Sequence, residues 1–451
     1  MTKPQKSEVT VWRLRRGMDR RFRSGHPWIY SNELMESPQG IQPGQLIELC
    51  DAGGKFLARG FGNPHSLIAF RCLSRNPEEL DPASPARIVE KLLKAQAQRI
   101  LSGWTEGSYR LCFGEADDLP GLIVDRYQTA KGQIFVVQAH TAGANHLSKN
   151  ILEILKAVVE AKVEAVVRTG QGSITWENTG VILRNDVSVR KLEGLAEESN
   201  QVLRELKGEN FSDLQILIRP VLEKATPENL LGFQVDLLGG QKTGFFLDQF
   251  ANIQIAALRF QNFPQKKIRI LDLFSYVGHW GAQLARVFKA QGKEVEVVAV
   301  DASAKALEFA KKNITAAGAR CETVKMDILK DLEKLSKEKI AQMGFDIVIS
   351  DPPALIKARK DIPTGKHAYL QLATQALPLV RKGGGGIVSC SCSSLLPEED
   401  FNSALSRGAQ RNQIDIQWVA RGSQSPDHPV KLSFPEGKYL KAWVGIRTEN
   451  P

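Results

Sequence analysis

Residues 269–301, RILDLFSYVGHWGAQLARVFKAQGKEVEVVAVD, constrain this chain more than any other stretch. The apolar run 268–274 predicts a strand, 275–278 a turn, 279–289 a helix, and 295–300 a second strand that runs into Asp301. A strand–turn–helix–strand unit implies parallel strands, because the helix supplies the crossover that parallel pairing needs. It also sets a carboxylate at the C-terminal end of the second strand. Ligands of open α/β sheets sit there, and an acid at that point can take two adjacent ribose hydroxyls. The turn is not GxGxxG, and no GxxxxGK[ST] loop occurs in the chain. A nucleoside cofactor without a pyrophosphate suits such a turn, and S-adenosylmethionine is one.

Further apolar runs at 321–326, 345–350, 385–392 and 439–446 extend the pattern. With the first two they predict a mostly parallel, doubly wound sheet. Its C-terminal strand ends collect Phe274, Ser275 and Gly278, then Asp301, Asp327, Asp351-Pro352-Pro353 and the run 389–393, SCSCS. Asp327 can accept the exocyclic amino group of an adenine. For Asp301 and Asp327 the plainer alternative is a helix N-cap. The two prolines after Asp351 stiffen the exit from the strand and hold the acid in a fixed pose. Cys390 and Cys392 share a face if the strand continues through both, whereas leaving the strand at Cys392 would bring that thiol to the rim. A CxC pair falls short of the four ligands of a structural zinc site, so no metal is expected.

The N-terminal half differs in character. Arg13, Arg15, Arg16, Arg20, Arg21 and Arg23 fall within residues 13–23, beside the aromatic knot GHPWIY. Short strand candidates follow at QLIELC, KFLARGFG and SLIAFRCL, each after a turn signal. A small β-barrel or sheet over 1–75 is expected, with Arg15, Arg16, Arg20 and Arg21 as RNA contacts or, alternatively, as a solvated face. The net charge of +10 is compatible with an anionic partner. Residues 1–7 are polar and expected to fray. Residues 76–205 predict a small α+β domain: a helix at ARIVEKLLKAQAQRILSGW, two strands, another helix over 144–159, then strand candidates VEAVVRTG and ITWENTGVILRN. Its acids Glu115, Asp117, Asp118 and Asp125 cap a turn or wall a cleft. Residues 206–451 form the third domain, opening with a hairpin at LQILIRP and GFQVDLL. The glycine- and phenylalanine-rich run 239–249 there could cover a flat ligand or simply pack the core. The six cysteines are too sparse for a disulfide scaffold, there is no signal-like N-terminus, and no run of eighteen apolar residues occurs. A cytoplasmic protein with no membrane contact is expected.

A thiol beside a methyl-donor pocket fits one reaction in particular. Cytosine C5 is a poor nucleophile until a thiolate adds at C6, and hydrogen bonding at N3 stabilises the charge that develops. Cys392 would attack, with Cys390 the second choice, and Asp351 would engage N3. The base must leave any stack to reach them.

The segments GHPWIYSNEL, EADDLPGLIVDRY, KTGFFLDQ, LDLFSYVGHWG, DPPA and SCSCS together resemble the ribosomal RNA large subunit methyltransferase I family. The likeness spans nearly the whole chain. It implies an N-terminal PUA domain, a small central α+β domain and a C-terminal Rossmann-like class I methyltransferase domain. It implies S-adenosylmethionine as cofactor, a cytosine of large-subunit ribosomal RNA as substrate, free or partly assembled, and a homodimer. Carried over by residue, it puts Phe274, Ser275 and Gly278 in the donor pocket, Asp301 on the ribose, Asp327 on the adenine and Cys392 as nucleophile. The chain departs from the family pattern at Phe250, where arginine is common, and at His279, where the turn commonly closes on glycine. Two rivals stand beside this reading. One is an RNA methyltransferase acting on a guanine nitrogen, which needs no thiol. The other is a non-catalytic RNA-binding or ribosome-assembly factor.

Overall fold

The computed structural model describes residues 10–161, 174–338 and 341–448. The N-terminal residues expected to fray and the strand candidate VEAVVRTG lie outside them. The chain divides into two compact units, Met1–Glu209 with Asp427–Gly437, and Asn210–Pro426 with Lys438–Pro451.

The first unit carries two sheets. β1 (Thr10–Arg13), the short α1 (Arg20–Arg23), β2 (Trp28–Ile29), β3 (Gln45–Cys50), β4 (Phe56–Gly62) and β5 (Phe70–Ser74) form the β module expected over 1–75. Its strands run in the order β1-β3-β4-β5-β2, with β1 and β3 parallel and the other pairs antiparallel. Trp12, Phe22, Ile29, Leu49 and Phe70 fill its core. α2 (Pro85–Leu101) follows, with proline at its first turn, where the missing N–H costs nothing. Then come β6 (Tyr109–Phe113), β7 (Leu122–Gln128), β8 (Gln133–Ala139), α3 (Ala142–Ser148), α4 (Ile151–Glu160), β9 (Thr179–Leu183) and β10 (Gln201–Arg204). Within this unit the second sheet runs β10-β9-β8-β7-β6, with only β8 and β9 parallel.

The acids noted in this half are structural. Arg99 reaches both carboxylate oxygens of Asp117 at 2.6 Å, and Arg110 both of Asp125 at 2.8 Å. Such buried forks fix geometry, since losing one partner would strand a charge in the core. Glu115 accepts from Trp28 Nε1 at 2.8 Å and pairs with Arg71, while Asp118 pairs with Lys431. Residues 427–437, expected to belong with the third domain, instead pack in this unit. Asp427 takes the Arg110 N–H at 2.9 Å through its carboxylate and Arg99 Nη2 at 3.0 Å through its carbonyl, and the Phe434 ring lies 4.7 Å from that of Trp28. No local sequence pattern announces such long-range partners.

The second unit opens with the hairpin β11 (Leu214–Ile218) and β12 (Leu231–Val235), which pair antiparallel. Next come α5 (Phe250–Phe260), β13 (Lys267–Leu273), α6 (His279–Ala290), β14 (Glu294–Asp301), α7 (Ala304–Ala316), β15 (Arg320–Lys325) and α8 (Ile328–Lys337). They lead on to β16 (Ile347–Ser350), α9 (Ile362–Ala376), β17 (Gly386–Ser391), α10 (Glu398–Arg411), β18 (Asp415–Gly422) and β19 (Lys441–Thr448). The sheet order is β15-β14-β13-β16-β17-β19-β18, parallel from β15 to β17 and antiparallel beyond. Leu271, Val298, Val348 and Ile387 pack with residues of α8, α9 and α10 in one apolar core. From β13 the chain steps outward through β14 and β15, then returns to add β16 and β17 on the other flank. That reversal opens a crevice at the C-terminal ends of β13 and β16. β18 is absent from the sequence-based strand set. It is an edge strand whose residues alternate between exposed and half-buried, so it carries no buried apolar run.

Candidate active site

The crevice holds a cavity of about 560 Å³. Its wall includes Phe274, Ser275, Asp301, Asp327, Asp351 and Cys392, so six of the residues singled out from strand ends meet in one place. Gly278, expected among them, does not line it. It sits at φ +80°, where a Cβ would come within 2.9 Å of Ile314 Cδ1 and 3.1 Å of Ala310 Cα. Its role is to let the turn pass against α7, not to face a ligand.

The turn after β13 is strained. Phe274 and Tyr276 hold φ of +61° and +47°, a region costly for residues with a Cβ. Hydrogen bonds hold it there. Ser275 N donates to Val300 O at 3.0 Å, Tyr276 N to Asp301 Oδ2 at 3.0 Å, and the Tyr276 hydroxyl to Gly244 O at 3.1 Å. The other oxygen of Asp301 accepts Ser303 N at 2.8 Å, while the Ser303 hydroxyl caps α7. Asp301 is thus fixed by two backbone donors, with lone pairs left over toward the cavity. It is not the N-cap itself. Asp327 stands at the N-cap position of α8, yet its side chain makes no cap bond and pairs with Lys330 at 2.8 Å.

Asp351 follows β16. Gln249 Nε2 donates to one of its oxygens at 2.8 Å and Trp280 Nε1 to the other at 3.0 Å. Burial raises its carboxyl from 3.8 to about 6, against the lowering effect of the Trp280 bond. The acid is therefore near its midpoint close to neutrality, able to donate as well as accept. β17 ends at Ser391, one residue short of the expected strand, so Cys392 leaves the sheet and lines the cavity, whereas Cys390 is 1% exposed inside the core and lines no part of it. Cys392 Sγ lies 3.7 Å from Pro352 O. Burial pushes this thiol from 9.0 to about 11; Lys242 opposes the shift, and Asp351 and Asp248 add to it. The segment around it is clasped from behind. Tyr369 OH bonds Ser391 Oγ and Ser393 Oγ, each at 2.9 Å, and Lys441 Nζ donates to Ser393 O at 2.9 Å.

Sequence reasoning missed several members of the wall. Lys242 pairs with Asp248 at 2.7 Å, and Tyr439 OH donates to the same carboxylate at 2.5 Å. Trp280 and Gln249 orient Asp351. The one available signal was the run 239–249, which does contribute Lys242, Phe245, Phe246, Asp248 and Gln249. At Phe250 the missing arginine of the family pattern is partly made good in space, because the Arg219 guanidinium stacks 5.2 Å over the Phe250 ring.

The four arginines of the basic cluster part company. Arg21 is tied to Glu33 and Trp28 O, each at 3.0 Å, and Arg15 Nε donates to Leu34 O at 2.8 Å. Arg16 and Arg20 are exposed, with no side-chain partner among the described residues. Among the described residues no group of three His, Cys, Asp or Glu could hold a metal ion, and no helix is long and apolar enough to cross a membrane.

Two buried polar groups on the cavity wall have no partner among the described residues: Ser275 Oγ and the imidazole of His279. Orphaned groups at a strained turn, with fixed acids at two neighbouring strand ends, suit a polar nucleoside ligand such as S-adenosylmethionine.

Comparison with known proteins agrees. A family model described as a PUA-like domain matches residues 13–75, and one described as a methyltransferase domain matches residues 264–429. A solved structure from Streptococcus mutans, described only as a SAM-dependent methyltransferase, superposes with a TM-score of 0.70 at 15% identity, over 97% of this chain and all of that one. A methyltransferase solved with SAH gives 0.71 at 16% identity, again over 97% of this chain. At such identities these two speak for the fold alone. Proteins named ribosomal RNA large subunit methyltransferase I, from Photobacterium profundum and Yersinia pseudotuberculosis, are each 30% identical, over 96% of this chain and 98% of their own length. With that end-to-end likeness, the chain belongs to the ribosomal RNA large subunit methyltransferase I family of S-adenosylmethionine-dependent enzymes.

Proposed function

We propose that this enzyme methylates C5 of a cytosine in large-subunit ribosomal RNA through a covalent adduct with Cys392. The observation that carries the reading is the meeting of Cys392 and Asp351, from the ends of adjacent strands β17 and β16, in the cavity that also holds Asp301. Phe274, Ser275, Asp301 and Asp327 hold S-adenosylmethionine, which supplies an electrophilic methyl group on a sulfonium. The Cys392 thiolate adds to C6 of the cytosine, forming the S–C6 bond and moving the ring electrons to C5. Asp351, when protonated, donates to N3 and stabilises the charge that builds on the ring. C5 takes the methyl group, its proton is then removed, and the S–C6 bond breaks to return the thiolate. A guanine-directed enzyme would have no use for a thiol at this point of the wall. The exposed Arg16 and Arg20 supply backbone contact to the RNA. The enzyme acts in the cytoplasm as a homodimer on free or partly assembled ribosomal RNA.

The test is to map methylated nucleotides by mass in ribosomal RNA from cells lacking the gene. Those cells are then complemented with the wild type, Cys392→Ala or Cys390→Ala. A 5-methylcytosine should vanish with the gene and return with the wild type and Cys390→Ala only. Its return with Cys392→Ala, or a missing mark on a guanine nitrogen, would overturn the mechanism.

A further inference from the structure

His279 is the first residue of α6 and departs from the glycine common at this point of the family pattern. The ring is 6% exposed and lines the cavity, yet neither Nδ1 nor Nε2 has a hydrogen-bond partner. Phe245 packs on it at 4.5 Å between centroids and Phe233 at 5.4 Å, edge to face. The Phe246 backbone lies close enough to favour the protonated ring slightly, but no bond of acceptable geometry forms. Burial dominates and lowers the ring to about 3, so it is a neutral imidazole with one N–H donor and one lone-pair acceptor. A buried group of this kind left unpaired is costly, and phenylalanine would fill the same aromatic niche without that cost. A free-standing packing role does not account for a histidine here; a ligand that pairs with it does.

The position narrows which part of a ligand that is. Asp301 and Asp327 end β14 and β15, on the side suited to the nucleoside. Asp351 and Cys392 follow β16 and β17, on the side suited to the target base. His279 follows β13, between the two flanks, at the N-terminus of a 12-residue helix whose free N–H groups favour an anion. Ser275, on the same turn, offers a second orphaned hydroxyl.

We propose that His279 is a specificity-determining residue that binds the amino-acid end of S-adenosylmethionine, its ring donating to the carboxylate and accepting from the α-ammonium. The inference rests on this cavity being the donor site, and the ligands below separate the two ideas. S-Adenosylhomocysteine carries the amino-acid end, whereas 5′-methylthioadenosine has the same nucleoside and thioether without it. Titration calorimetry of the full chain would measure both against wild type, His279→Phe and His279→Asn. His279→Phe should weaken S-adenosylhomocysteine about tenfold, the scale of lost neutral hydrogen bonds, and leave methylthioadenosine within about twofold. His279→Asn, which keeps a donor and an acceptor, should recover part of the loss. The unliganded His279→Phe protein should melt no lower than the wild type, since it loses two orphaned polar atoms and keeps the ring packing. A purely structural histidine would reverse that result, and a lower melting temperature would sink the proposal. So would equal weakening of both ligands, or weakening of neither. A wild type that binds neither ligand would overturn the donor-site reading itself, and this inference with it.

Discussion

Cys392 should be a slow nucleophile in the ligand-free protein, and the amount can be worked out. Its thiol is raised from 9.0 to about 11, with burial as the leading cause. At pH 8 that shift cuts the thiolate fraction about 100-fold relative to an ordinary cysteine. A more basic thiolate is also intrinsically more reactive; with a Brønsted slope of about 0.4 to 0.5, two pK units return roughly a factor of 6 to 10. The net expectation is alkylation by iodoacetamide about tenfold slower than that of an unperturbed thiol. The rate should keep rising with pH to near 11, where an ordinary thiol would level off near 9. Peptide mass spectrometry resolves Cys392 from Cys390, which should stay unmodified while the protein is folded. Lys242 is the charge that opposes the shift, and it is paired with Asp248. Lys242→Met removes the cation and leaves the acid, so alkylation should slow further, by several-fold, across the whole pH range. A profile levelling off below pH 9, or a Lys242→Met protein that reacts as the wild type does, would refute the account.

Two further expectations use other parts of the molecule. Asp351 titrates at about 6 in the fold against 3.8 in the unfolded chain, so the native state holds the proton more tightly. Its contribution to stability is present below pH 3.8 and is lost as the pH rises through about 6. Asp351→Asn is blind to this. The stability gap between wild type and variant in urea unfolding should shift by about 2 kcal/mol in favour of the wild type between pH 8 and pH 4.5, and a constant gap would refute the shift. On the basic face, neutralising Arg16 and Arg20 together should lower RNA affinity and flatten its salt dependence by roughly one to two units of slope. Neutralising Arg21, which is held by Glu33, should cost stability before it costs salt dependence. Filter binding across salt concentrations, alongside thermal melts, separates the two.

The fold of the second unit was legible because its strands are buried on both faces and read as unbroken apolar runs. The acids ending those runs follow from topology alone. Asp301, Asp327 and Asp351 could be named from sequence for that reason, and so could Cys392. What failed to show was whatever depends on distant pairing. Asp427 looks like any loop acid until Arg99 and Arg110 are seen to need it. Arg15 and Arg21 look like free cations until Leu34 O and Glu33 claim them. Gly278 was assigned to the ligand when the nearby α7 backbone is what demands it. Trp280 and Gln249 carry no motif; only the third dimension shows that they aim the carboxyl of Asp351. Sequence ranks residues by where an element ends, and it is weak on residues whose role is to hold another residue still.

One physical cause, burial, acts on both working groups of the cavity and suits only one of them. It drives each toward its neutral form, the acid to about 6 and the thiol to about 11. A neutral Asp351 is what a hydrogen bond to N3 requires, so for the acid, burial prepares the chemistry. A neutral Cys392 is what the addition step cannot use. Between those two values, the form with a protonated acid and an ionised thiol is only about one molecule in 100,000. The fraction stays flat with pH, so no choice of buffer improves it. A positive charge brought within about 5 Å, at an effective dielectric near 20, would be worth about 3 kcal/mol, or some two factors of ten. A sulfonium is such a charge and its demethylated product is not. The wall therefore keeps its nucleophile quiet in the resting protein and leaves its ionisation to the cation that enters with the methyl group. On this argument, occupancy by the neutral product should leave Cys392 as protonated as the empty cavity does.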